Sequence, residues 1–120
     1  MSIQEHYEKE HDVDYIKGPT SDVIEICGQV ADMDVVHLTL AEKSYGDSWK
    51  KRGGVGAFMM LARKWDRLEN QVSRLGWDVF KACTEDTRPE GVIDDIRDLR
   101  RYLTLVEAEL LRQERNGKIS

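Results

Sequence analysis

The chain has 120 residues, and its 18 Lys and Arg against 23 Asp and Glu give a formal net charge of −5 at pH 7. This length suits one compact domain, and the 40% hydrophobic fraction excludes wholesale disorder. An acidic chain is poorly suited to neutralising phosphate backbones, so no polymeric nucleic acid is expected as a partner. No run approaches the roughly 20 apolar residues of a membrane span, and no signal peptide is recognisable. We therefore expect a cytoplasmic protein without a membrane partner.

The first half of the chain is predicted to contain an arm and one long helix. Residues 1–20 are polar and form either an N-terminal arm or a short, poorly packed helix. A single domain then covers residues 21–120, and its first helix is predicted from Ser21 to about Ser44. Apolar residues recur there at helical spacing, although the β-branched residues of 35–40 would also suit a strand.

A glycine-rich basic loop is predicted over residues 45–56. Lys50 and Arg52 precede three glycines and a helix start, where backbone N–H groups can approach a phosphate. A solvated basic connector explains the same residues equally well. Tyr45 and Trp49 could stack on a nucleotide base, although aromatic residues at a helix end more often serve packing. The loop is therefore a candidate substrate-binding segment.

The second half of the chain is predicted to be helical. One helix runs from about residue 57 to 75, one or two turns follow over 77–83, and a last long helix spans about 90–115. Trp65 and Trp77 are predicted to be core residues because they belong to apolar segments. The result is an all-α fold, a small bundle of three to four main helices whose spare apolar faces favour completion by oligomerisation.

Two pairs of carboxylates stand out on these helices: Asp66 with Glu69, and Asp95 with Asp98. Residues three apart share a helix face, so each pair can direct two carboxylates towards one point. If the two helices pack antiparallel, the four groups could converge on Mg²⁺, which prefers oxygen ligands. The common alternative is a solvated acidic face balanced by neighbouring arginines.

Three segments resemble a known family. The runs EKSYGDSWK (42–50), ARKWDRLEN (62–70) and DDIRDL (94–99) look like a phage-type nucleotide-modification-associated domain. That group is similar to the MazG-like, all-α nucleoside triphosphate pyrophosphohydrolases. The resemblance covers roughly residues 35–110. If the protein is phage-encoded, the expected location is the host cytoplasm.

The signature of that superfamily is an ExxE pair on one helix and an ExxD pair on a later one. Asp66-x-x-Glu69 resembles the first pair and Asp95-x-x-Asp98 the second, with aspartate at the first position of each. The resemblance implies that these four side chains hold Mg²⁺ or Mn²⁺. The ion would bind a nucleoside triphosphate and activate water for release of a monophosphate and pyrophosphate.

The resemblance also implies roles for residues around the acidic pairs. Glu42 or Asp94 would act as an outer ligand or as the catalytic base. Lys64 and Arg67 flank the first pair, where they could contact phosphates or only balance its charge. A homodimer or homotetramer is expected. The alternatives are a noncatalytic nucleotide-binding protein of the same fold and a helical protein-interaction module.

Overall fold

The structure, a computed structural model, describes residues 2–10 and 21–117. Within these ranges it contains five α-helices and no strand, which confirms the predicted all-α fold. They are α1 (Ile3–Glu10), α2 (Asp22–Tyr45), α3 (Gly53–Ser73), α4 (Val79–Glu85) and α5 (Val92–Arg115), with a 3₁₀ turn, Ser48–Lys50, between α2 and α3. Residues 11–20, the second half of the predicted arm, lie outside the described residues. In the described ranges, no helix combines the length and apolar character needed to span a membrane.

The hydrophobic core lies where α3, α4 and α5 meet. Its buried side chains are Val72 of α3, Ala82 of α4 and Val92 of α5, and the half-buried Leu68 and Ile96 pack against them. All three buried side chains are small or medium in size, so the apolar area removed from water is modest. Two ion pairs, Lys64 with Asp98 and Arg67 with Asp95, also join α3 to α5.

The apolar face of α3 is only partly covered by the other helices. Lys64, Leu68 and Val72 lie on the side that contacts α4 and α5. Trp65 shares a helix face with the buried Val72, seven residues later, but is 52% exposed, so its prediction as a core residue is wrong. Phe58, one helical repeat before Trp65, is also exposed, so this face of α3 is buried near Val72 and uncovered towards the start of the helix.

The start of α3 also differs from the prediction. The helix begins at Gly53, so the three glycines expected in a loop belong to its first turn. The 3₁₀ turn that precedes this first turn also contacts α3. Gly53 itself has φ of 69°, a conformation that glycine adopts at little cost.

The chain reverses between α3 and α4 through two residues with positive φ. Gly76 has φ of 67° and Trp77 has φ of 66°, which is a strained conformation for tryptophan. Asp78 then caps α4, because its side chain accepts hydrogen bonds from two backbone N–H groups, at 3.0 and 3.1 Å. Trp77 is 66% exposed at this turn between α3 and α4, so its prediction as a core residue is wrong.

Helix α2 is the long helix least covered by the rest of the chain. Val23, Ile26, Val36 and Leu40 are all exposed, and the one buried residue of α2 is Asp34. Helix α2 therefore presents an apolar face that its own chain does not cover.

Helix α1 is attached to the C-terminal end of α5 by a carboxylate. Glu114 accepts hydrogen bonds from the backbone N–H groups of Ile3, at 2.8 Å, and Gln4, at 2.9 Å. Arg115 Nε also donates to Gln4 Oε1 at 2.9 Å. The carboxylate satisfies N–H groups that lie at the start of α1, where helices lack internal partners.

Because carboxylates join several helices, we expect the folded protein to lose stability in acid. Hydrogen bonds from the backbone of Gln4 and Ile3 lower the pKa of Glu114, and the hydrogen bond from Lys50 lowers the pKa of Glu109. A carboxyl whose pKa is lower in the folded state stabilises the fold above its unfolded pKa of about 4.3, and this contribution is lost as the pH falls through the folded pKa. We therefore expect a flat stability between pH 7 and about pH 5.

The free energy of unfolding, measured in urea at pH 7, 5 and 3.5, should fall only at the lowest pH. Hydrogen exchange at neutral pH should also show that Glu114→Gln releases the amides of α1 while those of α3 keep their protection. An equal stability at pH 7 and pH 3.5 would contradict this account of the carboxylates.

Candidate functional site

One large cavity lies between α2, the 3₁₀ turn and α5. Its volume is about 780 Å³, within the range of small-molecule sites in proteins. Four residues predicted from sequence line it: Glu42 and Tyr45 at the end of α2, Trp49 in the 3₁₀ turn and Asp98 of α5. Two distant parts of the chain, the stretch 42–49 and α5, therefore bring predicted site residues to one place.

The aromatic residues of the cavity differ in exposure. Tyr45 is 75% exposed, whereas Trp49 is half-buried. Tyr102 of α5 also lines the cavity and was not predicted as a site residue. The cavity thus offers flat aromatic faces beside its carboxylates, a combination that suits a ligand with a planar ring.

The second carboxylate pair is engaged by cations of α3 and by one arginine before α5. Asp98 Oδ2 lies 3.1 Å from Lys64 Nζ. Asp95 is buried, with Oδ1 3.3 Å from Arg67 Nε and Oδ2 4.0 Å from Arg88 Nη2. Asp95 Oδ2 has no hydrogen-bond partner in the described part of the chain. Lys64 and Arg67, predicted to bind substrate, are therefore used in ion pairs between helices.

The first carboxylate pair does not face the second. Asp66 and Glu69 are exposed, and Glu69 Oε2 accepts a hydrogen bond from Trp65 Nε1 at 2.7 Å. With 100° between successive helical residues, Asp66 points away from the side of α3 that carries Lys64. Among the residues that the structure describes, no three Asp, Glu, His or Cys side chains form a group that could hold a metal ion.

Three further predicted residues lie away from the cavity. Asp94 accepts a hydrogen bond from the Gly91 N–H at 2.9 Å and so caps the start of α5. Lys50 pairs with Glu109 at 2.9 Å, and Arg52 is exposed just before α3. None of the three basic residues of the predicted loop, Lys50, Lys51 and Arg52, lines the cavity.

A charge cluster beside the cavity was missed by the sequence analysis. Asp34 of α2 accepts hydrogen bonds from Arg100 Nε at 2.6 Å, Arg100 Nη2 at 2.7 Å and Arg101 Nε at 2.9 Å. The hydrogen bonds from Arg100 lower the pKa of Asp34 despite its burial, and those to Asp34 raise the pKa of Arg100. A single acid within the otherwise apolar run 33–36 is the signal that could have indicated a buried partner.

A smaller cavity, of about 260 Å³, lies at the corner of α3, α4 and α5. Arg74, Asp86 and Arg88 line it, and Asp86 is already bound to Arg88 Nη2 at 2.8 Å. None of the residues predicted from sequence lines this cavity. The larger cavity is therefore the candidate functional site.

Comparison of the chain with protein-family models, curated proteins and solved structures finds no match.

Proposed function

We propose that the chain binds a nucleoside triphosphate in the α2–α5 cavity and hydrolyses it to a monophosphate and pyrophosphate in the cytoplasm. The observation that carries this proposal is the presence of Glu42, Tyr45, Trp49 and Asp98 in one cavity. Glu42, Tyr45 and Trp49 come from one local segment and Asp98 from α5, and each lies in a run that resembles the phage-type nucleotide-modification-associated domain. The cavity is also large enough for a nucleotide.

The proposed roles follow from the chemistry of the lining residues. Tyr45 and Trp49 would supply the flat faces that hold the base. Glu42 and Asp98 are the described carboxylates that line the cavity, and they would hold a Mg²⁺ ion that arrives on the phosphates. Magnesium is commonly bound in this way, through one or two carboxylates together with substrate phosphates. When bound, the ion would neutralise phosphate charge and lower the pKa of a water molecule.

Glu42 is the better candidate for the catalytic base. In the described residues its side chain has no ion pair or hydrogen bond, so it is available to take a proton from water. Asp98 is held by Lys64 and would have to exchange that partner for the ion.

Binding without hydrolysis is the second candidate function. The observation that favours it is the engagement of Asp95 and Asp98 by Arg67 and Lys64, together with the exposed position of Asp66. A nucleotide could then be bound by the aromatic residues and a cavity cation while no complete ligand set activates water. Such a protein would sequester its nucleotide rather than convert it.

We also propose a homodimer or homotetramer in which α2 is covered by a second copy. The exposed side chains Val23, Ile26, Val36 and Leu40 form the apolar face that such contacts need. A helical interaction module would use the same face for a different protein.

One experiment separates these functions. The purified protein is incubated with individual nucleoside triphosphates and Mg²⁺ or Mn²⁺, and both binding and pyrophosphate release are measured, with its mass determined by light scattering. Metal-dependent release is the expected result. Binding without release would support sequestration, and the absence of both would leave only the interaction module. A monomeric mass at micromolar concentration would contradict the proposed oligomer.

A further inference from the structure

The cluster of Asp34, Arg100 and Arg101 carries an unbalanced positive charge. One carboxylate is shared by two guanidinium groups, so the three side chains together bear a net charge of +1. The carboxylate is 6% exposed, and the Arg100 and Arg101 side chains are 34% and 17% exposed. A charge that is largely withdrawn from water needs a partner of opposite sign.

The two arginines use their donors differently. Arg100 binds Asp34 through both Nε and Nη2, a bidentate contact that occupies one edge of its guanidinium group. Arg101 binds Asp34 through Nε alone. Its terminal amino groups have no hydrogen-bond partner among the residues that the structure describes. The terminal amino groups of Arg101, which match the geometry of a phosphate, therefore remain free.

Arg101, which carries these free donors, belongs to the cavity wall. Arg101 lines the cavity, whereas Arg100 does not. Arg101 is also the one lysine or arginine in the cavity wall, as far as the described residues go. The wall carboxylates Glu42 and Asp98 form no ion pair with it in that part of the chain, where its ionic partner is Asp34.

We propose that Arg101 is the residue that binds the phosphate tail of the ligand, and that Asp34 is a positioning residue that holds its guanidinium group at the cavity. This inference rests on the proposed function, because it deepens the chemistry of the same cavity. It differs from the sequence prediction, which assigned phosphate contacts to Lys50, Arg52, Lys64 and Arg67. Three of those four residues are engaged in ion pairs with other side chains.

Arg100 provides a matched control, because both arginines bind the same carboxylate and only one reaches the cavity. Calorimetry in the presence of Mg²⁺ would measure the binding of three ligands: inorganic tripolyphosphate, a nucleoside triphosphate and the matching nucleoside. Each ligand would be tested with the wild type and with Arg101→Gln, Arg101→Lys and Arg100→Gln. Thermal unfolding of each variant verifies that it is folded. Either glutamine variant weakens the Asp34 cluster, so a purely structural role would affect binding in both.

For Arg101→Gln we expect the affinities for tripolyphosphate and for the triphosphate to fall at least about tenfold, with nucleoside affinity changed less than about threefold. Arg100→Gln should change all three by less than about threefold, and Arg101→Lys should recover part of the loss. Equal losses in the two glutamine variants, or triphosphate binding unaffected by Arg101→Gln, would overturn the inference but leave the proposed function standing.

The inference about Arg101 can also hold while the proposed nucleotide function fails. Arg101-dependent binding of tripolyphosphate, without binding of any nucleoside triphosphate, would support the phosphate role of Arg101 and reject the nucleotide function. A wild-type protein that binds neither tripolyphosphate nor any nucleotide would overturn both.

Discussion

Replacing Glu42 by glutamine or Asp98 by asparagine is expected to reduce pyrophosphate release by at least about a hundredfold, which corresponds to roughly 2.7 kcal/mol of lost transition-state stabilisation. These are the described carboxylates that line the cavity. The amide replacements keep the shape of each side chain and remove its charge. A magnesium ion on the phosphates would then lose an anionic oxygen, and Glu42→Gln would also remove the proposed base.

The two variants should lose activity through different kinetic parameters. Asp98→Asn should raise the Mg²⁺ concentration needed for half-maximal rate, because its proposed role is to hold the ion. Glu42→Gln should lower kcat with a smaller effect on nucleotide binding. Glu107→Gln is the control, because Glu107 is an exposed carboxylate of α5 that does not line the cavity. Wild-type turnover by both cavity variants would exclude this cavity as the site of hydrolysis.

Replacing Asp34 by asparagine is expected to lower the free energy of unfolding by about 2 kcal/mol, less than a fully buried ion pair because the arginines retain some solvent contact. The variant leaves Arg100 and Arg101 side by side without a counter-charge. Asp34 is also the one buried residue of α2. The damage should therefore concentrate in α2 rather than spread evenly over the fold.

Urea unfolding would measure the global change, and hydrogen exchange would locate it. Protection should be lost along α2 while the amides of α3 and α5 around Val72 and Val92 remain protected. Arg97→Gln serves as the control, because Arg97 pairs with Asp94 at 3.8 Å on the surface and such pairs contribute at most about 1 kcal/mol. Unchanged protection of α2 in Asp34→Asn would show that something other than this cluster holds the helix.

The helices could be predicted from the sequence, whereas their mutual rotation could not. The apolar spacing on α2, α3 and α5 indicated where each long helix lies, because a stripe of apolar residues repeats every turn. Spacing says which side chains share a face but not how much of that face a neighbour covers. Trp65 illustrates the limit, because it shares a helix face with the buried Val72 and is nevertheless 52% exposed.

The candidate site shows the same limit at the level of single residues. Glu42, Tyr45 and Trp49 are close in sequence, so their common position could be anticipated from one local segment. The expected convergence of Asp66 with Asp98 required a particular rotation of α3, which a three-residue spacing does not specify. Arg101 was missed because its partner Asp34 is 67 positions away, and nothing local to either residue indicates the pairing.

The attachment of α2 also has a consequence for the order of folding. Helices α3, α4 and α5 follow one another through short connections, and their core contacts lie within one continuous stretch of chain. The link from Asp34 to Arg100 instead closes a loop of 66 residues, which has a larger entropic cost. Local contacts form faster than distant ones. We therefore expect the α3–α5 unit to assemble first and α2 to join it late, so that the apolar face of α2 remains available to another chain throughout folding.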